Sequence, residues 1–260
     1  MFRGLFAVAA SLVFGLLSAH AFAGDPKPAP PASAKTSAVP APVAAPDLDE
    51  RAALAKTIGA QPDELRPTPI KGLYEFVRGA NIAYVTADGR YYFFGEMYDR
   101  ENGSNLTAAR LGEIWLKAID EKVPESEMLV FGPANARHTV TVFTDIDCGF
   151  CRQLHQDVPE LNRKGVRVRY VFFPRSGPGT ESWRKAEAVW CSPDRNAAFT
   201  RAKLGQDVKA KACGATPIKR QFELARELGL TGTPGIITDR GHFLSGYRQP
   251  AQLLQELDAK

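Results

Sequence analysis

The chain has 260 residues, of which 44% are hydrophobic and 24% are charged. Its net charge of +4 is small and spread along the sequence, so the composition does not indicate a nucleic-acid-binding protein. The length leaves room for two modest domains.

The first residues have the pattern of an export signal. Arg3 precedes an apolar run from Leu5 to Leu17, and small residues end at Ala21–Phe22–Ala23. The run is shorter than the roughly 20 apolar residues of a membrane-spanning helix. We predict a signal peptide over residues 1–23. The Pro- and Ala-rich residues 24–47 bury too little apolar area to fold and predict a disordered tether.

Residues 48–106 predict a small first domain. Leu48 to Ile58 has apolar residues at helical spacing. Asn81 to Thr86 alternates as a strand does, and Asp88–Gly89 then predicts a hairpin turn before a second arm, Arg90 to Phe94. That arm is apolar on both faces, so something else has to cover it.

An amphipathic helix is predicted after this domain, from Thr107 to Glu121, and Pro124 ends it. The elements that follow have the order strand, CxxC-headed helix, strand, helical insertion, hairpin and helix, which is the order of a thioredoxin fold. They are predicted at Thr139–Phe143, Phe150–Lys164, Val166–Phe173, Thr180–Leu228, Gly235–Thr238 with His242–Ser245, and from Pro250 onward.

Cys148–Gly149–Phe150–Cys151 carries the predicted chemistry. The first sulfur lies at a helix N-terminus, where unpaired N–H groups and the helix dipole favour a thiolate. The thiolate is the attacking species in disulfide exchange, and Cys151, one turn later, can resolve the mixed disulfide. We predict Cys148 and Cys151 as the catalytic pair.

The four cysteines of an exported chain favour disulfides over metal binding, and they allow three pairings. Their uneven spacing suggests one reactive pair and one structural pair. The alternative is a zinc site completed by Cys191 and Cys213, but structural zinc usually draws on two close pairs. We predict no metal and no cofactor.

Gly232–Thr233–Pro234–Gly235 precedes a predicted strand. A proline entering a strand is explained by a missing ladder partner or by a cis peptide bond. Opposite a CxxC motif, such a loop leaves backbone free to pair with an extended substrate, so we predict Thr233 and Pro234 as substrate-binding residues. Without the CxxC motif, the same residues would predict an ordinary turn.

These motifs together resemble the DsbC family of bacterial disulfide isomerases, from about Leu48 to the C-terminus. The matching segments are Val140–Cys151 with Leu154–His155 for the active site, Tyr92–Asp99 for the dimerisation domain, Trp190–Cys191 with Cys213 for a structural disulfide, and Thr231–Pro234 for the cis-proline loop.

The resemblance implies an α+β architecture. A cystatin-like dimerisation domain (48–106) and a linker helix (107–122) would precede a thioredoxin-like catalytic domain (123–260) with a helical insertion. It implies a periplasmic homodimer with a structural Cys191–Cys213 disulfide. Its substrates would be misoxidised exported proteins, and a membrane thiol reductase of the DsbD type would keep it reduced.

The leading hypothesis for function is isomerisation of wrong disulfides. One alternative is a DsbG-like reductase of sulfenic acids with a narrow set of clients. Another is a holdase chaperone whose thiols are secondary. A monomeric oxidase of the DsbA kind is disfavoured, because nothing in that family explains residues 48–122.

Overall fold

The computed structural model describes residues 48–259, so the predicted signal peptide (1–23) and tether (24–47) lie outside the described residues. Within residues 48–259, no helix is both long enough and apolar enough to cross a membrane.

The first part of the described chain is one helix packed on a small antiparallel sheet. The elements are α1 (Leu48–Ile58), β1 (Leu65–Pro67), β2 (Leu73–Arg78), β3 (Asn81–Thr86) and β4 (Tyr92–Phe93), and the sheet order is β1-β2-β3-β4. The core of this part is formed by the buried side chains Leu54, Ala55, Leu65, Tyr74 and Val85. The predicted helix and the first predicted strand are confirmed with their bounds.

Helix α2 (Leu106–Lys122) contacts both sheets. The Asn105 side chain caps it by accepting a hydrogen bond from the Ala108 N–H. Near its start, Arg110 forms an ion pair with Glu75 of β2 at 2.9 Å. Near its end, the fully buried Ile119 packs into a core that also contains residues of the second sheet. The helix predicted from the amphipathic stripe is therefore confirmed and is anchored at both ends.

The second part is a five-stranded sheet with helices, and its order is β5-β7-β6-β8-β9. Strands β6 and β7 are parallel and the other pairs are antiparallel. The strands are β5 (Leu129–Phe131), β6 (His138–Thr144), β7 (Val166–Phe172), β8 (Gly235–Thr238) and β9 (Phe243–Ser245); the helices are α3 (Gly149–Arg163), α4 (Glu181–Trp190), α5 (Arg195–Lys203), α6 (Ile218–Glu227) and α7 (Pro250–Asp258).

Helix α3 crosses between the two parallel strands, as a parallel pair requires. This arrangement confirms the predicted thioredoxin-like α+β fold. The predicted helical stretch is resolved into α4, α5 and α6, and the segment from residue 204 to 217 is not helical. Strands β1, β2 and β5 were not predicted.

Candidate active site

The reactive cysteine pair lies where β6 leads into α3. Cys148 is the N-cap residue of this helix, and its Sγ accepts a hydrogen bond from the Cys151 N–H at 3.4 Å. Both cysteines are free thiols. Cys148 retains 5% of its surface and Cys151 none, so only the first sulfur is open to an incoming molecule.

The surroundings of Cys148 favour its thiolate. The hydrogen bond from the Cys151 thiol is the largest influence and outweighs the opposing effect of burial. The Cys151 N–H and the positive charge of Arg175 act in the same direction, and together they lower the pKa of Cys148 to about 5. At neutral pH this sulfur is therefore a thiolate, which is the nucleophilic form.

Cys151 is in the opposite electrostatic situation. Burial is the main cause that raises the pKa of its thiol far above the ordinary range, and the neighbouring Cys148 adds to the effect. The positive charge of Lys203 is the strongest factor that lowers the pKa of Cys151. The pair thus combines an ionised, accessible sulfur with a protonated, enclosed one.

The loop before β8 lies against the reactive sulfur. The Thr233–Pro234 peptide bond is cis, and the Thr233 carbonyl oxygen lies 3.3 Å from the Cys148 Sγ. The Pro234 carbonyl is taken by the Gly246 N–H at 2.9 Å. The structure therefore brings Thr233 and Pro234 to the same place as Cys148.

The loop between β6 and Cys148 is held by a buried carboxylate. Asp145 accepts hydrogen bonds from the Asp147 N–H, the Arg175 N–H and the Ser182 hydroxyl. Burial alone raises the pKa of Asp145, but these hydrogen bonds and the charge of Arg175 bring it below the ordinary value. An ionised carboxylate with donors from three residues braces the turn and is poorly suited to carry protons.

Cys191 and Cys213 are joined by a disulfide that spans 22 residues of sequence. It lies in the helical region between α4 and α6 and is separate from the reactive pair. A four-cysteine zinc site would need both sulfurs as thiolates. The disulfide excludes that alternative for this form of the protein.

Two residues near the site, Arg175 and Lys203, had no place in the sequence-based prediction. Arg175 bonds to Asp145, and Thr144 and Asp145 both accept hydrogen bonds from Lys203. A signal for Lys203 was present, because it follows Ala198, Phe199 and Ala202 at helical spacing, so the apolar stripe of α5 ends in a lysine. The hydrogen-bond partners of Lys203 cannot be predicted from that pattern.

His155, one turn beyond Cys151, is buried rather than exposed. Its ring nitrogens lie 3.2 Å from the Tyr170 hydroxyl and 3.0 Å from the Thr200 hydroxyl. Burial, with a smaller contribution from the charge of Lys203, lowers the pKa of His155 to about 4. It is a satisfied, neutral core histidine at physiological pH.

Comparisons with known proteins agree with this chemistry. Residues 125–260 match the family described as "Thioredoxin-like domain", and residues 41–108 match the family described as "Disulfide bond isomerase protein N-terminal domain".

Full-length relatives are also similar. The chain is 34% identical over 213 residues to "Thiol:disulfide interchange protein DsbC" of Salmonella typhimurium, across 82% of this chain and 87% of the relative. It is 36% identical over 196 residues to the protein of that name from Haemophilus influenzae, across 75% of this chain and 82% of the relative.

A solved disulfide interchange protein from Neisseria gonorrhoeae is 28% identical, with a TM-score of 0.47 and coverage of 52% of this chain and 96% of that one.

Proposed function

The chain belongs to the DsbC family of thiol:disulfide interchange proteins, and we propose from this premise that it isomerises non-native disulfides through Cys148 and Cys151. The observation that supports the proposal is the position of Cys148. Its sulfur caps α3, has a pKa lowered to about 5 and lies beside the Thr233 carbonyl.

In the proposed mechanism, the Cys148 thiolate attacks one sulfur of a wrong disulfide and releases the other as a thiolate. A second cysteine of the substrate then attacks the mixed disulfide and forms a new pairing, which frees Cys148 unchanged. When no substrate cysteine is in reach, Cys151 attacks Cys148 instead and releases a reduced substrate. Isomerisation and reduction therefore share the first step.

Thr233 and Pro234 are proposed to hold the substrate backbone during this step. The Thr233 carbonyl oxygen lies 3.3 Å from the Cys148 Sγ, so a chain linked to that sulfur passes next to the loop. An extended peptide can add its main-chain hydrogen bonds along such an edge. This contact depends on the backbone and thus accepts many sequences.

The assignment of a separate role to each part of the chain is also a proposal. Residues 48–106 would form the dimerisation domain, 107–122 the linker helix and 123–260 the catalytic domain. Strand β4 is at an edge of the first sheet; its two residues, Tyr92 and Phe93, and the flanking Tyr91 and Phe94 are exposed. A second copy of the chain would cover this apolar edge and satisfy its backbone groups.

We place the protein in the periplasm, where the segment 1–23 would direct it and where disulfides form. Isomerisation requires Cys148 to be reduced, so the oxidising compartment has to contain a source of electrons. A membrane thiol reductase of the DsbD type is the proposed source, and misoxidised exported proteins are the proposed substrates.

Refolding of a scrambled multi-disulfide enzyme tests the proposal. The mature protein, reduced or in a glutathione buffer, should restore the activity of the scrambled enzyme, and Cys148→Ser should abolish the effect. Restoration by Cys148→Ser as well would refute the assignment. If the double variant Cys148→Ser, Cys151→Ser suppresses client aggregation and wild type does not restore activity, the protein is a holdase. Reaction only with a sulfenic acid substrate would favour the DsbG-like alternative.

A further inference from the structure

A buried lysine lies next to the reactive loop, and the mechanism above does not use it. Lys203, the last residue of α5, keeps 2% of its surface. Lysine is almost never fully buried without a partner. Its Nζ donates to the Thr144 hydroxyl and to the Asp145 carbonyl oxygen, both at 2.8 Å. These two acceptors are neutral and do not balance the ammonium charge.

Both acceptors belong to the segment that carries the reactive pair. Thr144 ends β6, and the Asp145 carbonyl also accepts the Cys148 N–H at 3.2 Å. One carbonyl oxygen therefore holds the ammonium of Lys203 and the backbone of Cys148. The geometry fixes the charge of Lys203 against the start of α3, the helix in which Cys151 is fully buried.

The influence between Lys203 and Cys151 is mutual. Lys203 is the strongest factor that lowers the pKa of Cys151. Burial lowers the pKa of Lys203 to about 8, and Cys151 is the strongest factor that opposes this effect. Charges act strongly on each other in such an enclosed environment, because little solvent is present to screen them.

The other charged or titratable groups around Lys203 do not replace this pairing. The Asp145 carboxylate and Cys148 raise the pKa of Lys203, and Arg152 lowers it. The carboxylate is already bound by Arg175 and Ser182. His155 is neutral at physiological pH, and Phe199 presents its ring 5.0 Å from Nζ.

We propose that Lys203 is a positioning residue for the resolving step, in which its ammonium stabilises the Cys151 thiolate as it forms. This inference rests on the proposed function and adds a role for α5 in releasing substrate. Cys148 needs no such help, because the Cys151 thiol and N–H already favour its thiolate.

The resolving step transfers two electrons from the cysteine pair to the substrate disulfide. Cys151 gives its thiol proton to solvent and attacks Cys148 Sγ, which is bonded to a substrate sulfur. The bond between Cys148 and the substrate sulfur breaks, and its electron pair leaves with that sulfur, which takes a proton from solvent. Cys148 and Cys151 become a disulfide and are oxidised by two electrons, and the substrate disulfide is reduced to two thiols.

Stopped-flow reaction of the reduced protein with Ellman's reagent separates the two attacks. Attack by Cys148 releases a first thionitrobenzoate at a rate proportional to reagent concentration. Attack by Cys151 releases a second thionitrobenzoate, at a rate that is independent of the reagent concentration. At pH 7, Lys203→Met should slow the second release roughly ten-fold, as removal of one charge next to a forming thiolate does. The first release should change by less than about two-fold.

Matched variants separate charge from structure. Lys203→Gln keeps N–H donors for Thr144 and Asp145 without the charge and should behave like Lys203→Met, whereas Lys203→Arg keeps the charge and should stay near wild type. Lys209→Met removes an exposed lysine whose side chain is 91% accessible and should change neither release. Far-ultraviolet circular dichroism verifies that each variant is folded.

A second release that is as fast in Lys203→Met and Lys203→Gln as in the wild type would overturn the inference. The wild type alone offers an independent check, because a buried charge is little affected by about 1 M salt. A second release that slows strongly in salt would assign the effect to surface cations and also overturn it. Absence of a fast first release in wild type would instead refute the proposed function.

Discussion

Cys148 is the residue on which the chemistry depends, and its ionisation is directly measurable. Because the Cys151 thiol and N–H stabilise the thiolate, we expect iodoacetamide to label Cys148 with a pH midpoint near 5. An ordinary cysteine has its midpoint at about 8.5. Mass spectrometry of the reduced protein, labelled at a series of pH values, gives the midpoint for each thiol.

Cys151→Ala is the matched variant, since it removes the thiol that contributes most to the low pKa of Cys148 and puts no other donor in its place. In this variant the midpoint of Cys148 should move upward while labelling continues. A wild-type midpoint near the ordinary value, or faster labelling of Cys151 than of Cys148, would contradict the assignment of the nucleophile.

His155 predicts how stability depends on pH. Its folded pKa is about 4, below the ordinary value of about 6.5, so only the unfolded chain takes up a proton between these values. Unfolding is therefore increasingly favoured as the pH falls from about 6.5 to 4, by up to roughly 3 kcal/mol. The free energy of unfolding from urea titrations of the oxidised protein checks this.

His155→Leu provides the comparison, because it cannot be protonated. This variant loses the hydrogen bonds to Tyr170 and Thr200 and should be less stable at pH 7, but its stability should change less between about pH 6.5 and 4. Equal pH slopes in both proteins would show that another group titrates.

The sequence alone predicts those site residues that act on neighbours a few positions away. Cys148 and Cys151 follow from their spacing and from the strand-to-helix junction. Lys203 belongs to α5, and its meeting with Thr144 and Asp145 depends on how that helix packs against β6. Local periodicity cannot specify such a contact, so a lysine on an apolar stripe was the sole sign.

Helix α2 meets the β8–β9 hairpin through two glycines. A Cβ placed on Gly112 would lie 2.7 Å from the Gly241 carbonyl oxygen, which is closer than real contacts allow. Gly112→Ala would favour an isolated helix by about 1 kcal/mol. Here we expect the opposite sign, a loss of at least about 1 kcal/mol in the free energy of unfolding, because backbone has to move.

Gly149→Ala is the control for this prediction. Gly149 is also helical, and nothing lies within 4 Å of a Cβ at that position. Urea titrations should therefore give a lower free energy of unfolding for Gly112→Ala. For Gly149→Ala this free energy should be unchanged or slightly higher. A stabilised Gly112→Ala would show that helix and hairpin separate easily in solution.

The elements missed by the sequence analysis share a physical cause. Among the six residues of β2, only Tyr74 is fully buried, so the strand lacks the strict alternation by which a sequence predicts one. Strands β1 and β5 have three residues each and exist through their partners, β2 and β7. Short strands are specified by pairing, which a single window of sequence does not contain.

The whole molecule is proposed to act as a dimer through the edge at β4. Phe94 is 82% exposed, so a charge there should leave the monomer folded and prevent burial of the edge. We expect Phe94→Glu to be monomeric at micromolar concentration in analytical ultracentrifugation, and to lose isomerisation while Cys148 labels normally. A dimeric Phe94→Glu protein would place the interface elsewhere.

Leu204→Glu is the control, because Leu204 is 57% exposed but follows α5, far along the chain from β4. It should leave the dimer intact. Gly95→Arg, a substitution with the same aim, is less informative. Gly95 has φ +150, which other residues rarely adopt, so a fold defect and a lost interface would look alike.

The central claim is that Cys148 attacks substrate disulfides and that Cys151 or the substrate releases them. Cys151→Ser removes the internal release and should trap substrate on the protein. After incubation with a scrambled multi-disulfide protein and acid quenching, non-reducing peptide mapping should find the substrate linked to Cys148, with Cys191 and Cys213 still joined. Absence of an adduct, or linkage through Cys191 or Cys213, would contradict the account.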